Sequence, residues 1–101
     1  QEPDPRGFEV QILNVPDSVY PTGSIYTIVR ADSRADYEGR WFLLQVIVES
    51  GRTQVRIDGF PIAEAGPVPP ELVVRPGRIG FQIHQDRGEI QWKAPRVRVL
   101  P

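Results

Sequence analysis

The residue types best suited to chemistry lie on the polar sides of alternating runs. The chain has one histidine, His84, within the stretch Arg78 to Trp92. There Ile79, Phe81 and Ile83 alternate with Gly80, Gln82 and His84. Successive side chains on a strand point to opposite faces, so this run predicts a strand with one apolar and one polar face. Asp86-Arg87-Gly88 is turn chemistry, and Ile90 and Trp92 resume the alternation on a second strand. His84 then falls beside Gln82 on the polar face, where a site is expected. The same rule puts Glu9 and Gln11 opposite Phe8, Val10 and Ile12, and Tyr26 opposite Ile25 and Thr27.

Several other chemistries have no support. Without cysteine there is no disulfide, thiolate metal site or cysteine nucleophile. No phosphate-cradling glycine loop, zinc-ligand spacing or catalytic serine motif occurs, so no metal and no cofactor is expected. Asp32, Arg34, Asp36, Glu38 and Arg40 read as a solvated loop. A net charge of -1 gives no reason to expect a nucleic acid or an acidic membrane as partner. No apolar run approaches the ~20 residues of a membrane-spanning helix. Methionine is absent, position 1 included, which suggests a processed or excised chain. Removal of a signal peptide and excision from something longer both fit.

The elements that must position these residues are short strands. With 101 residues the chain is read as one domain, 1–101. Most of its eleven prolines and nine glycines fall between apolar runs, as in a turn-punctuated β-protein. Residues 1–7 read as an irregular arm. Phe8–Leu13 and Ser24–Arg30 read as strands joined by a loop. Trp41–Glu49 is the longest apolar run and predicts a central strand covered on both sides, with Phe42, Leu44, Val46 and Val48 on one face. Ser50-Gly51 turns the chain into a strand whose Thr53, Val55 and Ile57 face inward. Asp58-Gly59 predicts a tight hairpin, because a type I′ turn needs positive φ at both central positions. Phe60–Ala63 returns, 65–76 is a stiff proline-rich connection, and Val97 and Val99, with Arg96 and Arg98 outward, mark a last strand. The expected core is Phe42, Leu44, Val46, Val48, Val55, Ile57, Phe81 and Ile83. No helix of normal length is visible, and the pattern is that of an all-β sandwich.

The order of these motifs is itself informative. Phe8-Glu9-Val10-Gln11-Ile12-Leu13, Thr22-Gly23-Ser24-Ile25-Tyr26, Gly39-Arg40-Trp41, Asp58-Gly59 and Gly77-Arg78-Ile79-Gly80-Phe81-Gln82-Ile83-His84 together resemble the 3-keto-disaccharide hydrolase domain family. Phe42 stands where that family usually has asparagine, Asp58 replaces the usual Asn of its hairpin, and Lys93-Ala94-Pro95 replaces an Arg-Asn pair. The resemblance implies a concanavalin A-like β-sandwich or jelly roll, and a secreted or periplasmic setting in bacteria. It also implies that the family's N-terminal strands are lacking here, since relatives have several strands before the one matching Phe8. Another chain, a neighbouring copy or a rearranged sandwich would then supply them, so a homo-oligomer or a companion chain is expected.

The resemblance also implies a saccharide ligand on a concave sheet. Such a site uses planar amides and carboxylates for hydroxyls and an aromatic face for the apolar side of the ring. Glu9, Gln11, Tyr26, Gln82, His84 and Trp41 supply that inventory. In the family reaction a ketone acidifies the proton on the neighbouring sugar carbon. A base removes that proton, the glycosidic oxygen leaves, and water then adds. His84 fits the base with Glu9 as its orienting partner, or the reverse; Gln11, Tyr26, Gln82 and Trp41 fit substrate binding. Plainer roles compete. A lone histidine on a strand is often surface decoration, Glu9 and Gln11 fit a solvated edge, and Trp41 and Trp92 fit the core better than a sugar platform. A non-catalytic carbohydrate-binding module and a structural subunit assembling by strand complementation are the alternatives to an enzyme.

Overall fold

The computed structural model describes residues 7–14, 17–32, 37–66, 78–82 and 89–101. Among them the chain is all-β, with one three-stranded antiparallel sheet in the order β1-β2-β3 and no helix. The strands are β1 (Leu44–Glu49), β2 (Arg52–Ile57) and β3 (Phe60–Ala65). Two tight turns set their register. Ser50 and Gly51 have φ of 50° and 76°, and Asp58 and Gly59 have φ of 51° and 86°. Both hairpins therefore have positive φ at both central positions, as type I′ turns require. The expected Asp58-Gly59 hairpin and the Ser50-Gly51 turn are both present.

Register then decides which side chains share a face. Leu44 stands opposite Ile57, Val46 opposite Val55 and Val48 opposite Thr53. Val55 in turn faces Ala63, and Thr53 faces Ala65. Between Val55 and Arg56 the β2-β3 register shifts by one, leaving Ile62 as the extra residue of a bulge. The inward set Thr53, Val55 and Ile57 is as expected, with Val55 and Ile57 buried.

A folded-back loop layer covers this face. Phe8, Val10 and Val29 pack against the buried cluster Ile25, Val55 and Ala63, with Leu44, Ile62 and Ala65 around it. The chain thus covers Phe8 and Val10 itself. Gly23 lets the two layers meet: its φ is +93°, and a Cβ there would collide with Ile62 Cδ1 and lie 3.2 Å from Ile57 Cδ1. The bulge residue Ile62 also accepts the Asp32 backbone N–H at 2.8 Å, which fixes the loop to the edge of β3.

The layer differs from the expected pair of strands. Phe8–Leu13 is joined to 22–26 by backbone hydrogen bonds, but only Val10 and Ile25 form a ladder bridge. Ser24–Arg30 is no strand, because Ile25 and Val29 pair with each other around Tyr26, Thr27 and Ile28, with Thr27 at φ 65°. Local side chains take the backbone partners a ladder would need. The Ser24 hydroxyl accepts the Ala31 N–H at 2.9 Å, and the Thr22 hydroxyl accepts the Leu13 N–H at 3.0 Å. Short hydroxyl side chains compete with secondary structure in this way.

Four further expectations are corrected. β1 is an edge strand and not a doubly covered central one, and Val46 and Val48 are 42% and 46% exposed. Among the described residues the loop layer packs over β2, β3 and Leu44, which leaves Val46 and Val48 partly open. Phe81 is 49% exposed rather than core, with Gln82 beside it exposed as well. Neither 78–82 nor 89–101 forms a strand, so the expected closing strand at Val97 and Val99 is absent. A strand exists only with a ladder partner, and among the described residues these have none. The expected turn at Asp86-Arg87-Gly88 lies outside the described residues, while Phe81 and Trp92 on either side of it meet with ring centroids 4.2 Å apart. Finally, β3 runs on to Ala65, inside the expected proline-rich connection, while Ile83 and residues 67–77 lie outside the described residues.

Candidate functional site

The pairing of 9–13 with 22–26 builds the best-defined polar group. Tyr26 N–H donates to the Glu9 carbonyl at 2.8 Å, and Gln11 N–H donates to the Ser24 carbonyl at 2.8 Å. The Gln11 carbonyl accepts from Gly23 at 2.8 Å, and the Leu13 carbonyl accepts from Thr22 at 3.2 Å. With Val10 opposite Ile25, Glu9 stands across from Tyr26, and directly opposed residues share a face. Apolar Phe8 and Val10 go to the core. Glu9 and Gln11 are half-buried, and Tyr26 is 44% exposed. Backbone pairing thus puts a carboxylate, an amide and a phenol on one face.

Tyr20 joins this group unannounced by the sequence reading. Its ring meets that of Tyr26 edge-on, with centroids 5.5 Å apart and planes at 70°. Edge-to-face geometry is a preferred aromatic arrangement and holds the Tyr26 ring in place. Tyr20 lies in the loop that joins Phe8–Leu13 to Ser24–Arg30. Its only signal was an aromatic residue placed across a Thr-Gly turn from a second one.

The other expected site residues stand elsewhere. Trp41 is 58% exposed, just ahead of β1, with Lys93 Nζ 5.8 Å from its ring centroid. This is cation-π geometry and not the core role weighed for it. Trp92, also weighed as core, is 44% exposed. Gln82 is exposed, and His84 lies outside the described residues. Among the described residues, no hydrogen bond or ring contact ties Trp41 or Gln82 to the group around Glu9.

A second polar cluster sits at the hairpin end of the sheet. Asp58 accepts the Leu43 N–H at 2.9 Å through one carboxylate oxygen and approaches Arg40 at 3.4 Å through the other. The Arg40 guanidinium lies 5.1 Å from the Tyr37 ring centroid, and Tyr37 packs on Phe42 at 4.7 Å. This cluster fastens the entry to β1 onto the second hairpin. Among the described residues no group of His, Asp and Glu could hold a metal ion, and no helix is long and apolar enough to cross a membrane.

Comparison with curated proteins and with solved structures gives no match. Comparison with protein families does: the profile of the 3-keto-alpha-glucoside-1,2-lyase-like domain matches residues 1–98. Essentially the whole chain is covered, and the chain belongs to that family.

Proposed function

We propose that this 3-keto-glycoside hydrolase-like domain binds a saccharide on the surface carrying Glu9, Gln11 and Tyr26. The observation that carries the reading is the pairing of 9–11 with 24–26, which puts the Glu9 carboxylate, the Gln11 amide and the exposed Tyr26 ring on one face. Sugar hydroxyls take planar acceptors and donors, while the apolar face of the ring takes an aromatic. Family membership supports the choice of a 3-keto sugar.

The reaction proposed with it is an elimination. A base takes the proton from the carbon beside the ketone, the electron pair forms the new double bond, and the glycosidic carbon–oxygen bond breaks. The departing oxygen collects a proton, and water then adds across the double bond. His84 is proposed as the base and Glu9 as its orienting partner, or the two with roles exchanged. Gln82 and Trp41 are proposed as further sugar contacts.

The test is titration with a 3-keto glycoside, followed by nuclear magnetic resonance for both binding and product. Glu9→Gln, Tyr26→Ala and His84→Ala are each expected to weaken binding or turnover with little change in melting temperature. Wild-type behaviour in all three removes the assignment. Binding without product favours the second reading, a non-catalytic carbohydrate-binding module, which the same surface supports.

A further inference from the structure

β1 is one edge of the sheet, and its direction of hydrogen bonding can be read from its neighbour. The Leu43 carbonyl accepts the Asp58 N–H at 2.9 Å, so odd-numbered backbone groups here point towards β2. By alternation the N–H and C=O groups of Leu44, Val46 and Val48 point away from it. Among the described residues no ladder or other backbone bond meets them. The same three residues carry the apolar stripe of β1, of which Val46 and Val48 are exposed. An open edge beside an open apolar stripe is a template for another strand.

One segment of this chain has the complementary pattern. In Arg96-Val97-Arg98-Val99-Leu100 two arginines alternate with two valines. Val97 and Val99 are 76% and 89% exposed, and no ladder includes them. Among the described residues neither arginine has an ion-pair partner, and neither does Glu49 at the end of β1. We propose that a second copy of this chain lays its residues 96–100 antiparallel along the open edge of β1, and receives the same strand in return.

The pattern picks the register. With Val97 opposite Val48 and Val99 opposite Val46, all four valines share the core face. Arg96 then stands opposite Glu49, and Pro95 falls beside Ser50, past the end of the strand. A proline is tolerated there because its missing N–H leaves no ladder bond unmade. Slipping by one residue would put both arginines on the apolar stripe.

Geometry favours a second copy over the chain's own segment. Lys93 sits over the Trp41 ring, three residues ahead of the start of β1, so the chain's own segment starts at that end. The chosen register needs Arg96 at the opposite end, beside Glu49. From Lys93 to Arg96 the chain reaches at most ~11 Å, whereas Leu44 to Glu49 spans ~17 Å. A symmetric exchange between two copies satisfies both edges at once and closes on itself.

Sedimentation across a concentration series is expected to show a dimer that dissociates on dilution. Amide exchange at Val46, Val48, Val97 and Val99 should slow together as the dimer forms. Glu49→Arg and Arg96→Glu each place like charges opposite one another at both junctions, and each should weaken the dimer by about fivefold or more. Mixing the two variants should recover it, because in the mixed dimer both junctions pair opposite charges. Both positions are exposed, and matching melting curves would show that each variant folds. A monomer at every concentration overturns the proposal, as does protection of those amides in a monomer, which would mean closure by the chain's own segment. A dimer indifferent to either substitution, or one not recovered by mixing, overturns it as well.

Discussion

Ile25 and Ile79 are the same residue in similar alternating runs, and both were expected on the apolar face of a strand. Ile25 is 1% exposed, whereas Ile79 is 75% exposed. Neither lies in a strand of the sheet. Ile25 is buried because backbone and hydroxyl bonds fold its loop over Val55 and Ala63, not because it sits in a ladder. Alternation says which side chains share a face; what covers that face is decided by the rest of the chain.

The sharpest way to break this comparison is to truncate both. Ile25→Ala should cost about 2–5 kcal/mol, the range for removing a large side chain from a packed core. Ile79→Ala should stay within about 0.5 kcal/mol, as exposed positions do. Denaturant midpoints of the two variants check both. Equal losses would mean that Ile79 is covered in solution.

Gly23→Ala tests the covering layer from its other side. Its φ of +93° is poorly suited to an L side chain, and the added Cβ meets Ile62. Overpacking and backbone strain together predict a loss of about 2–3 kcal/mol. Gly39 also has positive φ, 74°, but a Cβ there meets nothing within 4 Å. Gly39→Ala should therefore cost only the backbone part, about 1 kcal/mol. A smaller loss at Gly23 than at Gly39 would refute the close packing of loop on sheet.

The same contrast explains how much was legible in advance. The hairpins at Ser50-Gly51 and Asp58-Gly59 follow from turn chemistry inside a few residues, and the inward set Thr53, Val55 and Ile57 follows from the register they impose. The side assignment of Glu9 and Gln11 against Phe8 and Val10 was readable for the same reason. Non-local facts were not. That Ser24 and Thr22 would spend their hydroxyls on the backbone of Ala31 and Leu13 depends on how the loop closes. That β1 would be an edge, leaving Val46 and Val48 exposed, depends on which strands lie beside it. Within the candidate site, Glu9, Gln11 and Tyr26 were readable as polar-face residues, but their meeting needed the Val10–Ile25 bridge.

The smallest effects belong to Asp58, where turn, hydrogen bond and charge can be separated. Asp58 adopts φ 51°, a conformation that asparagine and aspartate tolerate better than alanine. One carboxylate oxygen accepts the Leu43 N–H, while the other faces Arg40 at 3.4 Å with both side chains nearly half exposed. Asp58→Ala loses the favourable turn residue and the hydrogen bond, and should cost about 1–2 kcal/mol. Asp58→Asn keeps the acceptor and the turn preference and loses only the charge. An exposed pair of this kind contributes little, so Asp58→Asn should stay within about 0.5 kcal/mol. Arg40→Ala removes the same ion pair together with the contact of Arg40 with the Tyr37 ring, and should cost about 1 kcal/mol. If Asp58→Asn matched Asp58→Ala in thermal melts, the ion pair rather than the turn would be holding β1 to the second hairpin. Added salt would then weaken the wild-type protein towards the variant, because screening acts on the charge and leaves the turn alone.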